Sequence, residues 1–155
     1  MNQDIRMLPV EDIIPHRGTL LLLDRIVDFD DERACCEYTP QANAWYADAN
    51  GDMPSWFGIE LMAQTIAAHV GLLKRAAGLP PKMGVLLGTR RFNSTISAFT
   101  ADHSLRICSE VVLRDASGLG AYECRIESNG EEVATATLKV YEPEDFQSFL
   151  QASHP

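Results

Sequence analysis

Residues 54–78 read PSWFGIELMAQTIAAHVGLLKRAAG, and the spacing of their apolar side chains decides the fold. Ile59, Met62, Ile66, Val70 and Leu73 recur at intervals of three and four. That places them on one face of an α-helix from residue 55 to about 77, roughly 30 Å or more at 1.5 Å per residue. Pro54 suits the first turn, where its missing N–H is no loss, and Gly78 with Pro80-Pro81 ends the run. A second face collects Glu60, Gln64, Ala67 and Gly71, two polar groups and then two small residues. Leu61, Ala68 and Leu72 fill a third side, so little of the helix is left for water and other elements must enclose it.

Working outward, residues 19–29 (TLLLLDRIVDF) form an apolar run that meets Asp30-Asp31-Glu32, as a strand ending in a polar turn does, with a hairpin back through 33–38. Residues 40–54 are irregular, and Asn50-Gly51 marks a turn. Beyond the helix, residues 83–92 carry the apolar centre Val85-Leu86-Leu87. Leu105, Ile107, Val111 and Leu113 then alternate with Arg106, Cys108, Glu110 and Arg114. Residues 118–127 and 133–141 repeat the alternation around Ser128-Asn129-Gly130, a strong hairpin signal. Two strands, a buried helix and four strands in meander order leave no room for crossover helices, which excludes a parallel α/β sheet. The class is α+β: a long central helix wrapped by an antiparallel sheet of about five to six strands.

With 155 residues, 46% hydrophobic and 23% charged, and no repeat or linker, the chain is expected to be one domain over 1–155, with only the tail 151–155 dispensable. Its first residues, MNQDIR, have neither the basic start nor the apolar stretch of a signal peptide, so a cytoplasmic location is expected. Glu60, Gln64 and His69 interrupt the most apolar segment and argue against a membrane span. A net charge of -9 without a basic run disfavours nucleic acid. Cys35, Cys36, Cys108 and Cys124 lack metal-ligand spacing and read as reduced packing residues, with Cys35 and Cys36 on opposite faces of a strand.

Three blocks, in order, carry a family resemblance. The first is Ile14-Pro15-His16-Arg17 with Leu21-Leu22-Leu23-Asp24-Arg25; the second is Met53-Pro54-Ser55 through Glu60-Leu61-Met62-Ala63-Gln64; the third is Gly88-Thr89-Arg90-Arg91-Phe92. They resemble the beta-hydroxyacyl-acyl carrier protein dehydratases of the hotdog superfamily, and more narrowly the dehydratase-like proteins of aryl-polyene pigment clusters. The resemblance implies a hotdog fold and conversion of a (3R)-hydroxyacyl thioester to the trans-2-enoyl thioester in fatty acid or polyene biosynthesis. It further implies a dimer whose acid and base come from different subunits, an acyl carrier protein or coenzyme A thioester as substrate, and no metal or redox cofactor. One element of that pattern is missing. Where the family has a catalytic His in Gly-His-Phe-Pro-Gly, this chain reads Tyr46-Ala47-Asp48-Ala49-Asn50-Gly51-Asp52.

Dehydration needs a base for the proton next to the thioester carbonyl, an acid for the departing hydroxyl, and donors on the carbonyl oxygen. Backbone N–H groups at the Ser55 helix start suit the last task, and Ser55, Gln64, Trp56 and Gly88 are expected to bind substrate. Glu60 matches the family's catalytic Glu, and a carboxyl on a mostly apolar helix suits an acid's role because burial favours the protonated form; a buried ion pair is the plainer alternative. Gln64, one turn on, either holds the Glu60 carboxyl or fills a polar hole. For the base, Asp48 and Asp52 lie in the right loop, although capping and solvation explain them more simply, and a histidine from elsewhere is a third source. His16 is expected to be a structural hydrogen-bonding residue, His69 a satisfied core histidine, and His103 and His154 turn and tail residues. Arg17, Lys74, Arg75, Lys82, Arg90 and Arg91 form either a patch for an acidic carrier or ordinary solvated charge. Trp45, Tyr46, Trp56 and Phe57 line an acyl channel or close the core. Two rival functions stand beside the dehydratase: a catalytically impaired hotdog subunit supporting a competent partner, and an acyl thioesterase that uses a carboxylate and water.

Overall fold

The computed structural model describes residues 4–81, 84–144 and 150–152. Among the described residues, eight strands accompany one long α-helix: β1 (Arg25–Phe29), β2 (Arg33–Tyr38), β3 (Met53–Pro54), α1 (Gly58–Ala76), β4 (Val85–Ser94), β5 (Ala98–Phe99), β6 (Leu105–Arg114), β7 (Leu119–Ser128) and β8 (Glu131–Tyr141). Six of them form one antiparallel sheet in the order β1-β2-β6-β7-β8-β4, while β3 and β5 pair separately. The sheet wraps α1, which packs chiefly on β2, β6 and β7. Ile26, Leu61, Met62, Ile107, Tyr122, Ile126 and Leu138 make the centre of the core.

Helix α1 begins three residues later than its periodicity suggests, because Ser55–Phe57 form a tighter 3-10 turn. Gly58 lets the helix start pack closely there: a Cβ would stand 3.0 Å from the Ile126 side chain and 3.3 Å from Phe99. At the other end Gly78 takes φ +70 and the Leu79 N–H donates back to the Lys74 carbonyl at 2.9 Å, as the sequence predicts for a glycine stop. The β7–β8 hairpin turns on Asn129 and Gly130, both at positive φ, the demand that Asn-Gly meets best.

Three expectations are corrected. Residues 19–24 do not begin a strand: Gly18–Leu20 is a 3-10 turn, Leu22 and Leu23 enter the core with their N–H groups turned to Gln64 of the helix, and β1 starts at Arg25. The four later strands are not a simple meander. β6, β7 and β8 are, but β4 crosses to pair with β8 and becomes the far edge, an order that strand patterning cannot encode. Lastly, Cys35 and Cys108 are joined in a disulfide, since they face each other in the β2–β6 register with Cα atoms 4.1 Å apart. Cys36 and Cys124 remain free and buried, and burial pushes both thiols up to about 12. Cys36 sits in the main core, whereas Cys35 joins Val27 and Cys108 in a separate cluster, so the two neighbours do face opposite ways. The expected strand start at Met83, and Lys82 and His154, lie outside the described residues.

Candidate active site

The stripe Glu60, Gln64, Ala67, Gly71 is where the 13–23 segment sits on the helix. At Gly71 the chain passes so close that an added Cβ would lie 2.3 Å from the Ile13 carbonyl oxygen, so only glycine fits. About two turns back, Gln64 is fully buried and its amide is completely used. Its Nε2 donates to the Leu20 carbonyl at 2.7 Å and to Glu60 Oε1 at 2.9 Å, and its Oε1 accepts from the N–H groups of Leu22 at 3.0 Å and Leu23 at 3.4 Å. Both sequence-level readings of Gln64 are therefore true at once: it fills the polar hole and holds the carboxyl.

Glu60 ends this stripe, in the first turn of α1, where the helix dipole favours a carboxylate. Its side chain is 45% exposed, so this chain alone does not bury it as expected from its apolar helix. His16 stands beside it, with Nε2 3.6 Å from Glu60 Oε1. Arg17 fixes that turn by donating from one guanidinium nitrogen to the carbonyls of Ile14 and His16, each at 2.7 Å. His16 Nδ1 is buried and is the one such side-chain nitrogen or oxygen among the described residues without a hydrogen-bond partner. Burial lowers the His16 pKa below its ordinary 6.5; the Glu60 charge works against this and Arg17 with it. The structural hydrogen-bonding role expected for His16 is not what the ring does. Pro15-His16-Arg17 was visible in the sequence, but nothing there brought it to Glu60.

The other candidates divide. Asp48 Oδ1 accepts from the N–H groups of Asn50 and Asp52, folding its own turn. Asp52 Oδ1 accepts from the Ala101 N–H at 3.0 Å, tying the loop to the segment after β5 rather than capping the helix. The Ser55 N–H is taken by the Ser97 carbonyl at 3.0 Å, so any donor to a thioester oxygen lies further along the 3-10 turn. Trp56 is 63% exposed at that turn. Gly88 lies at a bulge of edge strand β4, and nothing stands within 4 Å of the place its Cβ would take. Trp45, Tyr46, Trp56 and Phe57 form one run of tilted and edge-on ring contacts. Of the basic residues, Lys74 pairs with Glu142 at 2.6 Å and Arg17 donates to backbone carbonyls. His69 is fully buried and satisfied, with Nδ1 3.1 Å from the Tyr122 hydroxyl and Nε2 3.1 Å from the Asp30 carbonyl, as expected.

Two clefts, of about 370 and 290 Å³, open elsewhere: one by Arg91, Glu110, Glu123 and Arg125, the other by Lys74, Arg114, Tyr122 and Glu142. Neither is lined by Glu60.

A family model for ApeP-like dehydratases matches residues 8–151. The 3-hydroxyacyl-[acyl-carrier-protein] dehydratases FabZ of Brucella ovis and Brucella melitensis biotype 2 are 28% and 29% identical, each match covering 81% of this chain and 81% of the relative. A chain of the dehydratase heterocomplex ApeI:P from Xenorhabdus doucetiae superimposes with a TM-score of 0.90 at 28% identity, covering 97% of this chain and 100% of that one. A hypothetical thioesterase of Streptococcus pneumoniae, solved with coenzyme A, is 19% identical with a TM-score of 0.61, covering 76% and 86%, and shares the fold alone. The architecture is thus the hotdog fold that the sequence resemblance implied.

Proposed function

The chain belongs to the ApeP-like dehydratase family, and on that premise we propose that it serves in the dehydration of 3-hydroxyacyl chains carried as thioesters on acyl carrier protein. The observation that carries this reading is the Glu60 carboxyl, held by Gln64 at the uncovered end of an otherwise sealed helix face. In the reaction the C2–H bond breaks as a base takes the proton, its electron pair forms the C2=C3 bond, and the C3 hydroxyl leaves as water with a proton from Glu60. N–H groups of the 3-10 turn beyond Ser55, together with the open surface at Gly88, receive the thioester, and Trp56 flanks the acyl chain. Asp48 and Asp52 keep the loop in shape.

One chain does not enclose this site. Around Glu60, Leu20, Trp45 and Trp56 are exposed, and edge strand β4 presents Leu86 and Leu87 to solvent. A second hotdog chain against this side covers that apolar surface and closes the acyl channel. A specific observation favours a related chain as partner: the 46–52 loop lacks histidine, and its two carboxylates accept backbone N–H groups. In that second reading this subunit supports a competent one. The cytoplasm is the proposed location.

Purified protein, alone and with its related chain, is to be incubated with a 3-hydroxyacyl-acyl carrier protein and followed by mass spectrometry for loss of water. Dehydration that falls at least ~100-fold with Glu60→Gln establishes the enzyme. Dehydration only with the partner, unaffected by Glu60→Gln, establishes the supporting subunit; release of free thiol instead establishes a thioesterase.

A further inference from the structure

The 46–52 loop has no imidazole, but another part of this chain brings one beside Glu60. His16 and Glu60 come from segments 44 residues apart and meet with Nε2 3.6 Å from Oε1, the two side chains 27% and 45% exposed. A histidine kept for structure satisfies both ring nitrogens, as His69 does with Tyr122 and the Asp30 carbonyl. His16 does not: its inner nitrogen is buried without a partner, and its outer nitrogen faces a carboxyl that is fixed on its other side by Gln64. The turn that presents the ring is itself braced by Arg17 on the Ile14 and His16 carbonyls. A braced imidazole next to a braced carboxyl, both open to solvent on one side, is an acid–base pair held ready.

We propose that His16 is the base that works with Glu60, so that this chain carries both proton-transferring groups of its own site. The inference rests on the dehydratase reading. With a 3-hydroxyacyl thioester in place, His16 Nε2 takes the C2 proton while Glu60 gives its proton to the C3 hydroxyl, which departs as water; the substrate loses H and OH from adjacent carbons on one face. Imidazolium and carboxylate are then left side by side, and the proton passes from Nε2 to Oε1, restoring both groups without any other reactant. Burial favours the neutral ring, the form that can accept a proton. The charged groups acting on it are Glu60, from α1, and Arg17, from its own segment.

Two measurements test this. The first follows the His16 ring by NMR titration in wild type and Glu60→Gln. Removing the carboxylate is expected to lower the His16 titration midpoint, and an unchanged midpoint overturns the pairing. The second is turnover of a 3-hydroxyacyl-acyl carrier protein, with the partner chain present if one is needed. His16→Gln is expected to lose ~100-fold or more in kcat with little change in KM, and added imidazole to restore part of the loss in His16→Ala. His16→Asn, checked with the others by circular dichroism, guards against a variant that fails to fold. Wild-type kcat in a folded His16→Gln or His16→Asn, with Glu60→Gln inert, overturns the proposal. A wild type inert under every condition overturns the dehydratase reading and the role as base with it, and an intact titration coupling then shows that the reaction, not the pairing, was misassigned.

Discussion

The two ends of helix α1 each bring a histidine together with other polar groups, and they differ in how completely those groups are satisfied. Toward the far end His69, Tyr122 and Arg114 form a closed chain: the Arg114 guanidinium donates to the Tyr122 hydroxyl, which meets His69 Nδ1, and His69 Nε2 reaches the Asp30 carbonyl. At the near end His16 leaves a buried nitrogen unpaired, and Glu60 is partly exposed. Closed networks hold a core in one arrangement, whereas unfinished ones leave capacity for a substrate. The same helix thus carries a closed polar cluster toward one end and an open one at the other, with Gln64 joining the packed segment to the open end.

Disturbing that joint should produce the largest loss of stability. Gln64→Ala leaves the Leu20 carbonyl and the Leu22 and Leu23 N–H groups without their partner and frees Glu60, and we expect about 3 kcal/mol less stability in a urea melt as well as lost turnover. Gly71→Ala pushes against the Ile13 backbone and should cost about 2 kcal/mol, loosening the segment that carries His16. At the far end Tyr122→Phe removes a hydroxyl from a satisfied network and should cost about 1 kcal/mol by the same melt, with turnover unchanged.

A smaller effect is expected with pH. Burial holds the folded His69 pKa below the ordinary 6.5, although the Asp30 carbonyl raises it and Arg114 lowers it further. The unfolded chain therefore takes up this proton first, so stability is level above about pH 6.5 and falls as pH drops below that value, until the folded ring titrates in its turn. Urea melts between about pH 7 and 5 should show the fall, and His69→Gln should make it shallower. Least of all should reduction of Cys35–Cys108 matter to chemistry: the pair lies in a separate cluster with Val27, and turnover after a reductant should equal that before it.

The sequence made some of this arrangement legible. A 100° step placed Glu60, Gln64, Ala67 and Gly71 in one line, and that line exists, because helical geometry is local. Its purpose, a seat for the 13–23 segment, depends on a contact more than forty residues away and was not visible. Residues 19–24 looked like a strand because burial against a helix and burial in a sheet draw on the same apolar residues. The place of β4 at the far edge and the pairing of Cys35 with Cys108 follow from strand order and register, which alternation leaves open. A motif singles out Glu60 in the sequence, whereas the meeting of His16 with Glu60 is a fact of tertiary structure that no local pattern carries.

The most direct measurement maps where an acyl thioester sits. Backbone NMR of the protein, with its partner chain if required, is to be recorded during titration with a thioether analogue of a 3-hydroxyacyl pantetheine. Shifts concentrated at His16, Trp56, Glu60 and Gly88, with residues 114–122 silent, are what this account predicts. Shifts concentrated around Arg114 and Tyr122, with the Glu60 end silent, would contradict it.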